Sequence, residues 1–259
     1  MKDKIIKEMK RLEKENEVSV LFAVEAGSRT WGVSSENSDY DVRFVYIHKI
    51  EWYLAIDEKR DVIELPVDKS LDMSGWDLQK ALRLYRKSNP QFLEWLNSDL
   101  VYVEAFKTLE QLRLVREVVF SPVTCFHHYF SMARRNFKSL GTGKEIKLKK
   151  YINVLRPLLA CLWIEKFESI PPNRITFLTE KLVAKPLVIR DINKLIKDKQ
   201  RGYEYSQVSL EDLLFFFERE LERLRELGGE LSRQEKDVTP LLNEIFFETV
   251  KEVWGGRIP

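Results

Sequence analysis

Apolar side chains recur over residues 1–16 at Ile5, Ile6, Met9 and Leu12, the spacing of one helical face. The period then changes. VSVLFAVEA (18–26) is an almost unbroken apolar run that predicts a strand. YDVRFVYIH (40–48) predicts a second strand, EWYLAI (51–56) a third and RDVIELP (60–66) a fourth. The charged turn Asp57-Glu58-Lys59 separates the last two. Ser70 to Ser74 reads as a short strand and Trp76 to Lys87 as a helix, which Asn89-Pro90 ends because the residue before proline avoids helical geometry.

Beyond residue 90 the helical period dominates. Residues 91–120 predict helices broken near Ser98-Asp99, and Ser121-Pro122 opens another, since proline at the first helical position lacks only an N–H that would be orphaned there. A helix over Lys147 to Phe167 ends at the loop ESIPPNR (168–174), and shorter ones follow at 176–185 and 187–198. Ser209 and Asp212 have the spacing of a capping box, and a last helix covers 239–252. Trp163, Phe167 and Phe215-Phe216-Phe217 read as core. The pattern predicts an α+β fold: a small mixed sheet within residues 1–100, then a helical domain over 101–259.

Composition changes this picture little. A hydrophobic content of 44% supports a folded chain. The 43 Lys and Arg nearly balance 41 Asp and Glu, so any basic surface must be local. Two cysteines without metal-ligand spacing, and no signal peptide, point to a reducing cytoplasm. No apolar run approaches the roughly 20 residues of a membrane span.

The chemistry concentrates in EAGSRTWGVSSENSDYDVRF (25–44). Alternate residues of a strand share a face, so Asp39 and Asp41 can converge on one point. Carboxylates that close repel unless a cation lies between them, and their oxygens suit Mg²⁺. Asp72 is the candidate third carboxylate and Glu64 its competitor, whose face depends on strand register. Upstream, Gly27 lets a phosphate approach the backbone, Ser28 adds a hydroxyl, and Arg29 or Arg43 offers a guanidinium fork. A solvent-facing turn uses the same residue types.

The stretch from Gly27 to Gly32, followed by Ser38-Asp39-Tyr40-Asp41-Val42-Arg43, resembles the signature of the DNA polymerase beta superfamily of nucleotidyltransferases. LDMSGWDLQKALRLYRKSNPQFLEWLNSDLVY (71–102) and KLKKYINVLRPLLACLWI (147–164) are similar to a narrower bacterial and phage branch, the nucleotidyltransferases named for association with RNA repair. The resemblance implies that Gly27 and Ser28 hold nucleotide phosphates, and that Asp39, Asp41 and Asp72 bind Mg²⁺ or Mn²⁺ as the catalytic carboxylates. It also implies transfer of a nucleoside monophosphate from a nucleoside triphosphate, with pyrophosphate released. The acceptor stays open among an RNA end, a protein and a small molecule, with no membrane partner. Lys80 matches the family pattern in the helix after Asp72. Lys149 and Lys150, in a basic cluster with Lys144 and Lys147, and Arg156 beyond them are candidate phosphate or acceptor contacts. The alternative is a nucleotide- or nucleic-acid-binding module of the same fold without turnover.

Overall fold

The computed structural model describes residues 1–68, 70–140, 146–206, 209–228 and 237–255; Lys144, of the expected basic cluster, lies outside the described residues. In chain order, α1 (Lys2–Asn16) and β1 (Val18–Glu25) lead through the short α2 (Gly27–Thr30) to β2 (Tyr40–His48). Next come α3 (Ile50–Tyr53), β3 (Val62–Asp68), β4 (Leu71–Asp77), α4 (Leu78–Arg86), α5 (Pro90–Leu96) and β5 (Val101–Glu104). The remainder is helical: α6 (Thr108–Leu114), α7 (Arg116–Val119), α8 (Pro122–Lys138), α9 (Leu148–Phe167), α10 (Ile175–Leu182), α11 (Pro186–Gln200), α12 (Glu211–Gly228) and α13 (Thr239–Trp254). An N-terminal mixed-sheet domain is thus followed by a mostly helical one.

The strands form one sheet in the order β3-β4-β2-β1-β5. β2 and β4 run parallel, while the β1–β2, β1–β5 and β3–β4 pairs are antiparallel. Ile5, Met9 and Leu12 of α1 bury against Val42, Phe44, Tyr46, Leu71 and Met73 on one face. Gly75 is required there, because a Cβ would lie 2.1 Å from the ring of Phe44, its register partner. On the opposite face Trp76 packs on Trp95 of α5 at a centroid distance of 4.0 Å.

Two elements differ from the pattern-based expectation. EWYLAI is not a strand; β1 and β4 already flank β2, and the chain turns into α3. That turn stacks Trp52 on His48, with ring centroids 4.0 Å apart and planes within 7°, and leaves Leu54 and Ile56 in solvent. VYVE, expected within a helix, is instead the edge strand β5 on β1. Its β-branched and aromatic residues after Asn97-Ser98-Asp99 were the available strand signal.

The chain divides into two compact units: Met1–Gly27, Asp39–Val119 and Lys236–Pro259 in one, Ser28–Ser38 and Phe120–Glu235 in the other. Within the first, α13 packs on α4 and α6, sets Phe246 edge-on to Tyr53, and donates a 2.9 Å hydrogen bond from Trp254 Nε1 to the His48 carbonyl. Within the second, α8 and α9 pair. Pro157 lies inside α9 and cannot donate to the Asn153 carbonyl one turn back; Asn136 of α8 supplies the missing donor through Nδ2 at 2.7 Å. Phe216 and Phe217 are buried as expected, whereas Phe167 and Phe215 are exposed, a correction to their reading as core. For Phe215 helical rotation explains it, since three consecutive residues about 100° apart cannot all face inward; Phe167 is the last residue of α9, its ring centroid 4.3 Å from that of Trp163. Among the described residues no helix is long and apolar enough to cross a membrane.

Candidate active site

The geometry starts from strand register. β2 and β4 are parallel with Asp41 directly beside Asp72, Val42 beside Met73 and Arg43 beside Ser74. Val42 and Met73 belong to the core under α1, so alternation turns Asp41, Arg43 and Asp72 to the other face. Arg43 closes the group. Its Nη2 donates to Asp72 Oδ2 at 2.7 Å and lies 3.5 Å from Asp41 Oδ1. Its Nη1 reaches the Val42 carbonyl at 3.0 Å and the Asp72 carbonyl at 3.4 Å. Side-chain exposure falls from 55% at Asp72 through 32% at Asp41 to 16% at Arg43. The carboxylates are open to solvent and the cation is tucked beneath them.

Asp41 is held from two further directions. Its backbone N–H donates to Glu25 Oε1 at 2.9 Å, and its carbonyl accepts from the Ala26 N–H at 2.8 Å. Glu25 is fully buried. The Tyr102 hydroxyl donates to its Oε2, and the Ser98 hydroxyl donates to its carbonyl at 2.7 Å. The pattern reading passed over Glu25, although a carboxylate ending an apolar strand just before Gly27 was a visible signal, since buried charge requires partners. Gly27 follows with φ +62°, and a Cβ there would sit 2.2 Å from Asp41 Oδ2. Conformation and space both demand glycine.

Asp39 stands one residue ahead of β2 and is exposed. Among the described residues no group of three His, Cys, Asp or Glu side chains is placed to hold a metal. The register pairs Asp41 with Asp72, and Asp39 lies outside that strand pair. Glu64 sits opposite Ser74 in the β3–β4 pair, and its Oε2 accepts from Arg60 at 2.7 Å; Asp72, not Glu64, is the register partner of Asp41.

The donor set nevertheless fits a hard divalent ion. Mg²⁺ is usually held by one or two carboxylates, with substrate phosphates and water completing its shell. Asp41 and Asp72 offer that pair, and the guanidinium of Arg43 shows that the position accepts positive charge.

A family model described as "RNA repair pathway DNA polymerase beta family" matches residues 1–248. The chain belongs to this family. It is 50% identical over 259 residues to the "Uncharacterized protein YcgL" of Bacillus subtilis (strain 168), covering 99% of this chain and all of that one. A nucleotidyltransferase-like protein from Exiguobacterium sibiricum 255-15 aligns over 94% of this chain and 79% of its own, at 16% identity and a TM-score of 0.36. The family assignment rests on the family match alone.

The remaining candidates of this DNA polymerase beta family member fall in both units. In the helical unit the Arg29 Nη2 donates to the Ser38 carbonyl at 2.6 Å, and the Ser28 carbonyl accepts from the Val33 N–H at 2.9 Å. This 28–38 segment is tied down where the Ile175 N–H donates to the Trp31 carbonyl at 3.1 Å and Gln200 Nε2 to the Gly32 carbonyl at 3.1 Å. In the sheet unit Lys80 Nζ pairs with Asp61 Oδ1 at 2.8 Å. Lys149 and Lys150 are exposed, and Lys150 Nζ donates to the Ser139 carbonyl at 3.1 Å. Arg156 is buried where those lysines are exposed. It is 2% exposed within α9, its guanidinium 5.7 Å from the Tyr129 ring centroid.

Proposed function

We propose that this protein is a metal-dependent nucleotidyltransferase that moves a nucleoside monophosphate from a nucleoside triphosphate to an acceptor and releases pyrophosphate. The observation that carries the reading is the in-register pair Asp41 and Asp72, with Gly27 packed so tightly against Asp41 that no side chain fits. Family membership supports it.

Asp41 and Asp72 would hold Mg²⁺ or Mn²⁺, with Asp39 joining when substrate is bound. A bound divalent ion neutralises triphosphate charge and lowers the pKa of an attacking hydroxyl. Gly27 and Ser28 leave backbone room and a hydroxyl for the phosphates; Arg29, Arg43 and Lys80 are the candidate cationic contacts. Glu25 fixes the backbone of Asp41 and so positions its carboxylate. Lys149 and Lys150 are candidate contacts for an anionic acceptor, with Arg156 acting from the interior as support for α9. The acceptor is an RNA end, a protein or a small molecule.

The exposed position of Asp39 ahead of β2 favours a second reading, nucleotide binding without turnover. One experiment separates the two. Purified protein is incubated with each nucleoside triphosphate, Mg²⁺ or Mn²⁺ and cell extract; pyrophosphate release and label transfer are then measured beside Asp41→Asn. Release that Asp41→Asn abolishes supports transfer. Nucleotide binding with no release or label transfer supports the second reading.

A further inference from the structure

We infer that Arg43 is a resident counter-cation, holding the place between Asp41 and Asp72 that a divalent metal takes, so that metal binds only by displacing it. The inference rests on the metal reading above and adds a role distinct from phosphate contact. Directly opposed like charges on neighbouring strands destabilise a sheet, and Asp41 and Asp72 are directly opposed. Arg43 relieves the repulsion: one nitrogen, Nη2, faces both carboxylates, at 2.7 Å and 3.5 Å. A guanidinium normally prefers a two-nitrogen fork onto one carboxylate. Here the second nitrogen turns to backbone carbonyls of Val42 and Asp72 instead, and the shared nitrogen acts as a bridging point charge.

The arrangement is also easy to undo. Asp72 is 55% exposed, and exposed ion pairs contribute little net stability. The carbonyl contacts of Nη1 keep the side chain anchored as Nη2 withdraws. A divalent ion carries twice the charge of the guanidinium and suits oxygen ligands, whereas Na⁺ or K⁺ brings no charge advantage. Arg43 thereby acts as a positioning residue that keeps the carboxylates together before metal arrives and sets a threshold that monovalent ions do not pass.

The test measures metal binding without turnover. Free Mn²⁺ is followed by its electron paramagnetic resonance signal during titration of wild type, Arg43→Gln, Arg43→Lys and Asp41→Asn, without nucleotide. Arg43→Gln should bind Mn²⁺ tighter than wild type by roughly ten-fold, the scale of one charge-assisted hydrogen bond after solvent screening. Arg43→Lys, which keeps the charge and loses the planar anchor, should fall between them. In 100 mM K⁺, as against an uncharged osmolyte, Arg43→Gln should lose more Mn²⁺ affinity than wild type. Unchanged or weaker Mn²⁺ binding in Arg43→Gln, with its fold verified by circular dichroism, overturns the inference. If wild type binds Mn²⁺ no better than Asp41→Asn without nucleotide, the inference fails; if the same holds with a nucleoside triphosphate present, the metal reading fails with it.

Discussion

The two ends of the parallel β2–β4 pair use the same residue type for opposite purposes. At the N-terminal end Asp41 and Asp72 are partly exposed and share a single guanidinium. At the C-terminal end Asp77 is fully buried. There the Tyr53 hydroxyl donates to Oδ2 at 2.6 Å, His48 Nδ1 lies 3.0 Å from the same oxygen, and the Gln79 N–H donates to Oδ1 at 2.8 Å, capping α4. Trp52 covers His48 and Trp254 reaches its carbonyl. A buried carboxylate with both oxygens hydrogen-bonded inside the protein holds structure together. One left open beside another carboxylate has capacity for a ligand.

That contrast is breakable by exchange of one atom type at each end. Asp41→Asn should lower nucleotidyl transfer by about 1,000-fold or more while the melting temperature stays near wild type, as expected for one member of a set that acts as a unit. Steady-state pyrophosphate release and thermal denaturation on the same preparation check both halves. Asp77→Asn should do the reverse. Placing an amide against the Tyr53 hydroxyl and the cap costs roughly 2–4 kcal/mol of stability, read from urea unfolding, and transfer per folded molecule should persist. If Asp77→Asn abolishes transfer in the folded fraction, the division of labour between the ends is wrong.

Gly27→Ala should combine a smaller stability loss with a loss of function. The left-handed backbone and the 2.2 Å approach to Asp41 Oδ2 would cost about 1–3 kcal/mol, and Asp41 must shift to admit the methyl. A drop in Mn²⁺ affinity larger than the drop in melting temperature would locate the damage at the carboxylate. An alanine variant with normal metal binding would mean that the close packing serves the turn alone.

The smallest effect belongs to Tyr53→Phe. Loss of its hydrogen bond to Asp77 should cost about 1–2 kcal/mol at neutral pH without touching transfer. Its pH dependence is diagnostic. Burial, and then the Asp77 carboxylate, push the Tyr53 hydroxyl well above its usual range. Because the folded value is raised, the stabilisation is complete below the unfolded value of about 10 and is lost as pH rises beyond it. Tyr46 is raised for the same reasons, so Tyr53→Phe should flatten the alkaline limb of the stability curve only in part. Urea midpoints between pH 8 and 11 test it.

How much of this was legible beforehand follows the range of each interaction. β2 was readable to the residue because its alternation is local, and α1, α8 and α9 announced themselves by helical period and proline placement. α3 was misread because a short alternating segment carries no information on whether a sheet edge is free to receive it. β5 was lost inside a helical pattern for the same reason: its strand character comes from pairing with β1. Asp39 matched the spacing rule yet stands outside the strand to which that rule applies.

The sequence by itself determined that residues two apart in the second strand share a face, that a glycine stands at the exit of β1, and that helices follow a mixed sheet. Each depends on neighbours a few positions apart and on the two periods of backbone geometry. Only the tertiary structure decided that Asp72 rather than Glu64 lies beside Asp41, that Glu25 is buried beneath it, and that Asp77 is sealed while Asp72 is open. Those outcomes depend on which strands pair, in which direction and at which register, and a one-residue slip would send each carboxylate to the other face. No window along β4 contains that choice, because residues 31 positions away in β2 make it.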